Sequence, residues 1–101
     1  MDINISEACL DLLHLIEKNP NISQRALAKK SGLSLGKVNY CIKALVKIGC
    51  IKMNNFKNSD SKLKYFYLLT PRGISYKTII TRKFLSQKQQ EYDKLKAYLS
   101  K

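Results

Sequence analysis

SQRALAKKSGLSLGKVNYCIKALVKIG, residues 23–49, decides the fold. Ser23 is a good N-cap for a helix running through Lys30, and Gly32 ends it. Ser34 caps a second helix, on which Leu35, Val38, Cys41, Ile42, Leu45, Val46 and Ile48 gather on one side at 3.6-residue spacing, until Gly49 stops it. Ala28 brings no bulk where the two helices cross, Gly32 permits the tight turn between them, and Val38 inserts from the second helix. That spacing is the mark of a helix-turn-helix. The face opposite the apolar stripe carries Gly36, Asn39, Tyr40, Lys43 and Lys47, with Lys37 at its edge, and is polar, basic and rich in hydrogen-bonding groups.

The flanking segments complete the pattern. Upstream, Ser6 to Lys18 places Cys9, Leu12, Leu13 and Ile16 at helical spacing and ends in Asn-Pro-Asn, which reads as an amphipathic first helix. Downstream, Cys50–Phe56 and Leu63–Leu69 are rich in Ile, Phe, Tyr and Leu and flank a polar tip at 57–62, a hairpin. Thr70 and Pro71 then start a helix, and beyond Gly73 no breaker appears before the C-terminus. A helix from Pro71 to about Leu99 spans ~40 Å at ~1.5 Å per residue, against a small domain of ~30 Å, so part of it projects. Ile74, Phe84, Leu85, Tyr92, Leu95 and Leu99 fall within one stripe on it, interrupted by Lys88. The expected class is mainly α with a small β-hairpin: a winged helix-turn-helix over residues 1–73 and a long C-terminal helix, 74–101, as dimerisation element.

The composition suits one domain: 101 residues, 45% of them hydrophobic. No apolar run approaches the roughly 18 residues of a membrane span, and the N-terminus is acidic rather than basic ahead of its apolar part, so a cytoplasmic protein is expected. Cys9, Cys41 and Cys50 form no CxxC pair and lie among apolar neighbours, which predicts reduced core thiols. His14 is the single histidine, and no catalytic grouping or metal-ligand set can be assembled; neither enzyme chemistry, a metal nor a cofactor is expected. Charge is the strongest signal. The net value is +12, and between Asn19 and Gln90 fifteen lysines and arginines face one acid, Asp60. An ordinary solvated surface mixes both signs, so this asymmetry points to a polyanion, with nucleic acid ahead of an anionic membrane surface.

A recognition helix enters the major groove by its N-terminal part, which makes Ser34, Lys37, Asn39, Tyr40 and Lys43 the side chains available to base edges. Asn pairs bidentately with adenine, Lys donates to guanine, and Tyr40 reaches a phosphate or packs on a thymine methyl. Gly36 has two readings: it lets the helix start approach the sugar-phosphate backbone closely, or it is a first-turn glycine that costs little and is merely tolerated. Gln24 and Arg25 open the helix that crosses the backbone and are candidate phosphate contacts. Lys57, Asn58, Ser59 and Lys62 form the tip of the wing, a candidate minor-groove or backbone contact, with Lys64, Arg72 and Lys77 ranked below them. Phe84, Leu85, Tyr92, Leu95 and Leu99 are the candidate dimer contacts, since a stripe longer than its domain needs covering. The alternative for that stripe is folding back on the first helix.

The stretches NISQRALAKKSGLSLGKVNYCIKALVKIGCIK, NFKNS, YFYLLTPRG, and FL followed by EYDKLK resemble the short bacterial EPS-associated MarR-family transcriptional regulators over nearly the whole chain. The resemblance implies a winged helix that binds duplex DNA, linked to exopolysaccharide gene clusters. Larger MarR proteins are dimers with more terminal helix, and many bind small effectors between their dimerisation and DNA-binding parts; this chain is shorter, and no effector pocket is expected. Two competing readings stand beside it: a winged helix that binds DNA or RNA without sequence preference, and an adaptor that binds an acidic protein.

Overall fold

Each helix begins on a hydroxyl that relieves the backbone amides of its first turn. In the computed structural model, which describes residues 6–57 and 63–100, the helices are α1 (Glu7–Lys18), α2 (Gln24–Ser31), α3 (Leu35–Lys47) and α4 (Pro71–Leu99). Their N-caps Ser6, Ser23, Ser34 and Thr70 accept from the amides of Cys9, Ala26, Lys37 and Gly73. Gly32 closes α2 in the left-handed region at φ 76°. Gly49, at φ 80°, closes α3 in a Schellman arrangement, with Cys50 N donating to Leu45 O and Gly49 N to Val46 O. Strands β1 (Ile51–Lys57) and β2 (Leu63–Leu69) pair antiparallel, Ile51 opposite Leu69 and Met53 opposite Tyr67. The hairpin is tied to the helices through Tyr67 N, which donates to Pro20 O at 3.0 Å.

The core lies where α1, α2 and α3 meet the base of the hairpin. Leu12, Leu13 and Ile16 of α1, Leu27 of α2, and Val38, Cys41, Ile42 and Leu45 of α3 are buried with Cys50, Ile51, Tyr67 and Ile80. Each aliphatic side chain removed from water there contributes about 1.5–3 kcal/mol. Val38 is fully buried in this core and Ala28 is half-buried against it. The apolar stripe on α3 is narrower than its sequence suggests: Leu35 and Val46, three turns apart on the same margin, are 46% and 38% exposed.

Cysteine pairing departs from expectation. Cys9 of α1 and Cys41 of α3 are joined by a disulfide with their Cα atoms 5.8 Å apart, and Cys50 alone is a free thiol. Helical spacing turns both residues into the core on facing helices, and the Cα separation falls inside the range that a bridge spans. Burial pushes the Cys50 thiol above its ordinary pKa, with Arg72 pulling weakly the other way, so it stays protonated and inert.

The start of α4 is locked to the end of α3. Thr70 N donates to Cys50 O, the Thr70 hydroxyl to Gly49 O, and Arg72 Nη1 to Ile48 O at 3.1 Å. Gly73 lies against this junction so closely that a β-carbon there would stand 2.1 Å from Cys50 O. Further along, α4 runs antiparallel to α1, with ion pairs Lys77–Glu17 and Lys88–Glu7 at successive points. Beyond Phe84 every described residue of α4 is exposed, and the molecule measures 66 × 27 × 21 Å because that half of the helix projects. None of the described helices is long and apolar enough to cross a membrane.

Candidate nucleic-acid interface

Because the buried stripe of α3 fixes its rotation, Ser34, Gly36, Lys37, Tyr40 and Lys43 are carried together on the exposed side, and Asn39 sits half-buried at the margin facing α2. Tyr40 is 66% exposed, and the Lys37 ammonium lies 5.2 Å from its ring centroid. This contact one turn apart orders the ring and positions the cation over it. Ser34 Oγ is occupied as cap by Lys37 N, and Arg25 projects into solvent from the first turn of α2. Gly36 has an ordinary helical φ, and a β-carbon on it would meet nothing within 4 Å among the described residues.

Electrostatics separate this face from the seam between α1 and α4. Among the described residues the ion pairs are Lys77–Glu17 and Lys88–Glu7, both on the α1–α4 side. Lys77, by hydrogen bond and then by charge, holds the Glu17 carboxyl below the usual carboxylate range. Arg25, Lys29 and Lys30 of α2 and Lys37, Lys43 and Lys47 of α3 have no carboxylate partner among the described residues, so their charge is presented unneutralised. Field from such a surface raises the local concentration of a polyanion.

Gln24 has work inside the chain. Its Nε2 donates to the Tyr67 hydroxyl at 3.1 Å, and its Oε1 accepts from Asn39 Nδ2 at 3.3 Å. Its place beside Arg25 at the start of α2 suits a phosphate contact, while its amide is bonded between β2 and α3. Arg72 and Lys77 are likewise engaged, on Ile48 O and Glu17. Asn58 and Lys62 lie outside the described residues, as do the side chains of Lys57 and Lys64.

On the dimer candidates the fold divides the list. Phe84 packs against the chain's own core on the face of α4 that meets α1, and Lys88 on that face reaches Glu7, 3.3 Å away. Leu85, Tyr92, Leu95 and Leu99 are 67%, 59%, 62% and 88% exposed.

Three helices, a tight α2–α3 turn and a two-stranded wing define a winged helix-turn-helix. Residues 10–52, from mid-α1 to the start of the wing, match the family described as winged helix-turn-helix DNA-binding. No curated protein matches the chain. Among solved structures, Streptococcus pneumoniae FabT in complex with DNA is 19% identical with a TM-score of 0.60, over 89% of this chain and 62% of that one. The transcriptional regulator SlyA is 20% identical with a TM-score of 0.67, over 87% and 61%. A MarR protein from Peptoclostridium difficile is 18% identical with a TM-score of 0.67, over 87% and 56%. The chain thus has the winged helix fold seen in MarR-type proteins and spans about three fifths of the length of these three structures.

Proposed function

We propose that the chain is a transcriptional regulator that binds duplex DNA sequence-specifically, as a homodimer on an inverted-repeat operator, in the bacterial cytoplasm. The observation that carries this reading is the outer face of α3: basic side chains without carboxylate partners beside a half-buried Asn39 and an exposed, cation-ordered Tyr40, on the helix that a helix-turn-helix offers to the major groove. Arg25 and the lysines supply affinity through phosphate contact and counterion release, while Lys37, Asn39, Tyr40 and Lys43 discriminate bases. Backbone amides at the start of α3 meet a phosphate across Gly36. The wing tip, Lys57, Asn58 and Lys62, adds backbone or minor-groove contact. The mechanism is occupancy, with no chemical step and no cofactor.

An uncovered continuation of a covered face supports dimerisation. The side of α4 that carries Phe84 and Lys88 against α1 continues into Tyr92, Leu95 and Leu99 past Glu7, where α1 begins. A second α4 on that stripe, with Leu85 at its edge, pairs two protomers and sets two recognition helices about 34 Å apart on one side of the duplex. The resemblance to short EPS-associated regulators suggests exopolysaccharide genes as targets.

Selection from a random duplex pool at moderate salt tests the reading. Enrichment of an inverted repeat with half-sites about one turn apart supports it. Retention without any enriched sequence leaves a non-specific DNA- or RNA-binding winged helix instead, and absence of binding at low salt leaves the protein-binding adaptor. On the enriched site, Asn39→Ala weakens binding far more than on random DNA, whereas Arg25→Ala weakens both alike; the reverse pattern contradicts these roles.

A further inference from the structure

We infer that Tyr67 and Gln24, neither of which reads a base, are positioning residues that set the sequence discrimination made by Asn39. The inference rests on the reading of α3 as a base-reading helix. Three side chains from three elements form one line of hydrogen bonds: Tyr67 of β2, Gln24 at the first position of α2, and Asn39 on α3. Its root is fixed. Tyr67 is 1% exposed, its ring lies in the core, it stands opposite Met53 in the hairpin, and its amide donates to Pro20 O just ahead of α2. A buried phenol seeks a partner for its hydroxyl, and Gln24 is that partner.

The consequence falls on Asn39. An asparagine on an exposed helix face samples several rotamers, and ordering it on a base costs affinity and specificity at the moment of binding. Here one amide hydrogen is already given to Gln24 Oε1, while the second hydrogen and Oδ1 have no partner among the described residues. Those two form the donor–acceptor edge that adenine matches with N7 and its N6 amine. Tyr67 sits 43 residues from Gln24, on a strand of the wing, so the wing reaches the base-reading side chain through the interior.

The test compares wild type, Tyr67→Phe, Gln24→Met and Asn39→Ala in selections from one random duplex pool, followed by titration on the winning site and its single-base variants. Tyr67→Phe keeps the buried ring and removes only the hydroxyl; Gln24→Met, half-exposed, breaks the line without touching the core. Asn39→Ala identifies the base pair that Asn39 reads. At that pair alone, both positioning variants lower discrimination by about 3- to 10-fold, the worth of one hydrogen bond. Affinity of Tyr67→Phe for random duplex stays within twofold of wild type, and Tyr67→Phe adds nothing once Asn39→Ala is present. A merely structural role for Tyr67 would weaken all sequences together. Undiminished discrimination in folded Tyr67→Phe and Gln24→Met, at a position that Asn39→Ala abolishes, overturns the inference and leaves the DNA reading intact. A wild-type selection with no enriched sequence overturns both.

Discussion

Replacing Gly36 with alanine separates what α3 needs to fold from what it needs to bind. Nothing among the described residues requires a glycine there: φ is helical and a β-carbon would meet none of them within 4 Å. Alanine at such a position loses less conformational freedom on folding and is worth about 0.5 kcal/mol to the folded state, the lower part of the usual range because the site is in the first turn. For a domain of this size that raises Tm by about 2–4 °C. Binding moves the other way. A methyl between the start of α3 and a phosphate disrupts a charge-assisted hydrogen bond worth about 1.5–3 kcal/mol. Affinity for the selected duplex therefore falls about tenfold or more per protomer. Thermal melts followed by circular dichroism and fluorescence anisotropy at fixed ionic strength measure the two. Gly36→Ala that is more stable and binds with unchanged affinity refutes the close approach, and the glycine is then tolerated rather than used.

Gly73→Ala is the opposite case, since its β-carbon would overlap Cys50 O at 2.1 Å and the α3–α4 junction must open to admit it. A loss of about 3 kcal/mol, with Tm down by about 12 °C or more, is expected in denaturant and thermal unfolding; an unchanged Tm would show that the junction yields freely. In denaturant without reductant, alkylation followed by mass spectrometry should modify Cys50 alone, and all three cysteines after reduction. Closing a loop of 32 residues, the Cys9–Cys41 bridge stabilises by about 3–4 kcal/mol in the chain-entropy picture, so reductant should lower the midpoint, and three free thiols at the outset would remove the bridge from the native protein. Glu17 has its folded pKa depressed by Lys77, so the pair's contribution is complete above the unfolded value near 4.5 and is lost as pH falls through the lower folded value. Acid titration of Glu17→Gln should show a shallower loss of stability over that window, and a curve parallel to wild type would dissolve the pair.

Features built from contacts within one turn were legible in the sequence. Ser23, Ser34 and Thr70 cap the helices they were expected to cap, Gly32 and Gly49 end α2 and α3, and α4 runs from Pro71 to Leu99 as its lack of breakers implied; Ser6, expected as the first residue of its helix, is the cap of α1. What the sequence concealed joins residues far apart in the chain. The periodicity that turns Cys9 and Cys41 inward says nothing of the height at which α1 crosses α3, and that height decides whether two buried sulfurs meet or merely share a core. Gln24 looked like a surface glutamine because its partners are 15 and 43 residues away. One signal did point to it: a tyrosine in the strand that packs on the core brings a hydroxyl that must be answered from another element. Helical spacing puts Phe84 in one stripe with Leu95 because it gives the face of a residue and not the length of neighbour that covers it; Phe84 packs on the core and Leu95 lies beyond it, 62% exposed.

Charge shows the same division between pattern and placement. Of the fifteen basic residues between Asn19 and Gln90, Arg72, Lys77 and Lys88 are engaged within the chain, on the last carbonyls of α3 and on the two glutamates of α1. The acids that avoid the middle of the sequence therefore do something at its end: Glu7 and Glu17 quench the side of α4 that must pack against α1. Their neutralising effect is short-ranged, since exposed charges are screened beyond about 8–10 Å in physiological salt. The lysines of α2 and α3 on the far side of the core are left with their field intact. Charge is thus paired where α1 and α4 pack and left unpaired on α2 and α3, where it adds to the attraction for a polyanion on the face that the proposed reading turns toward DNA.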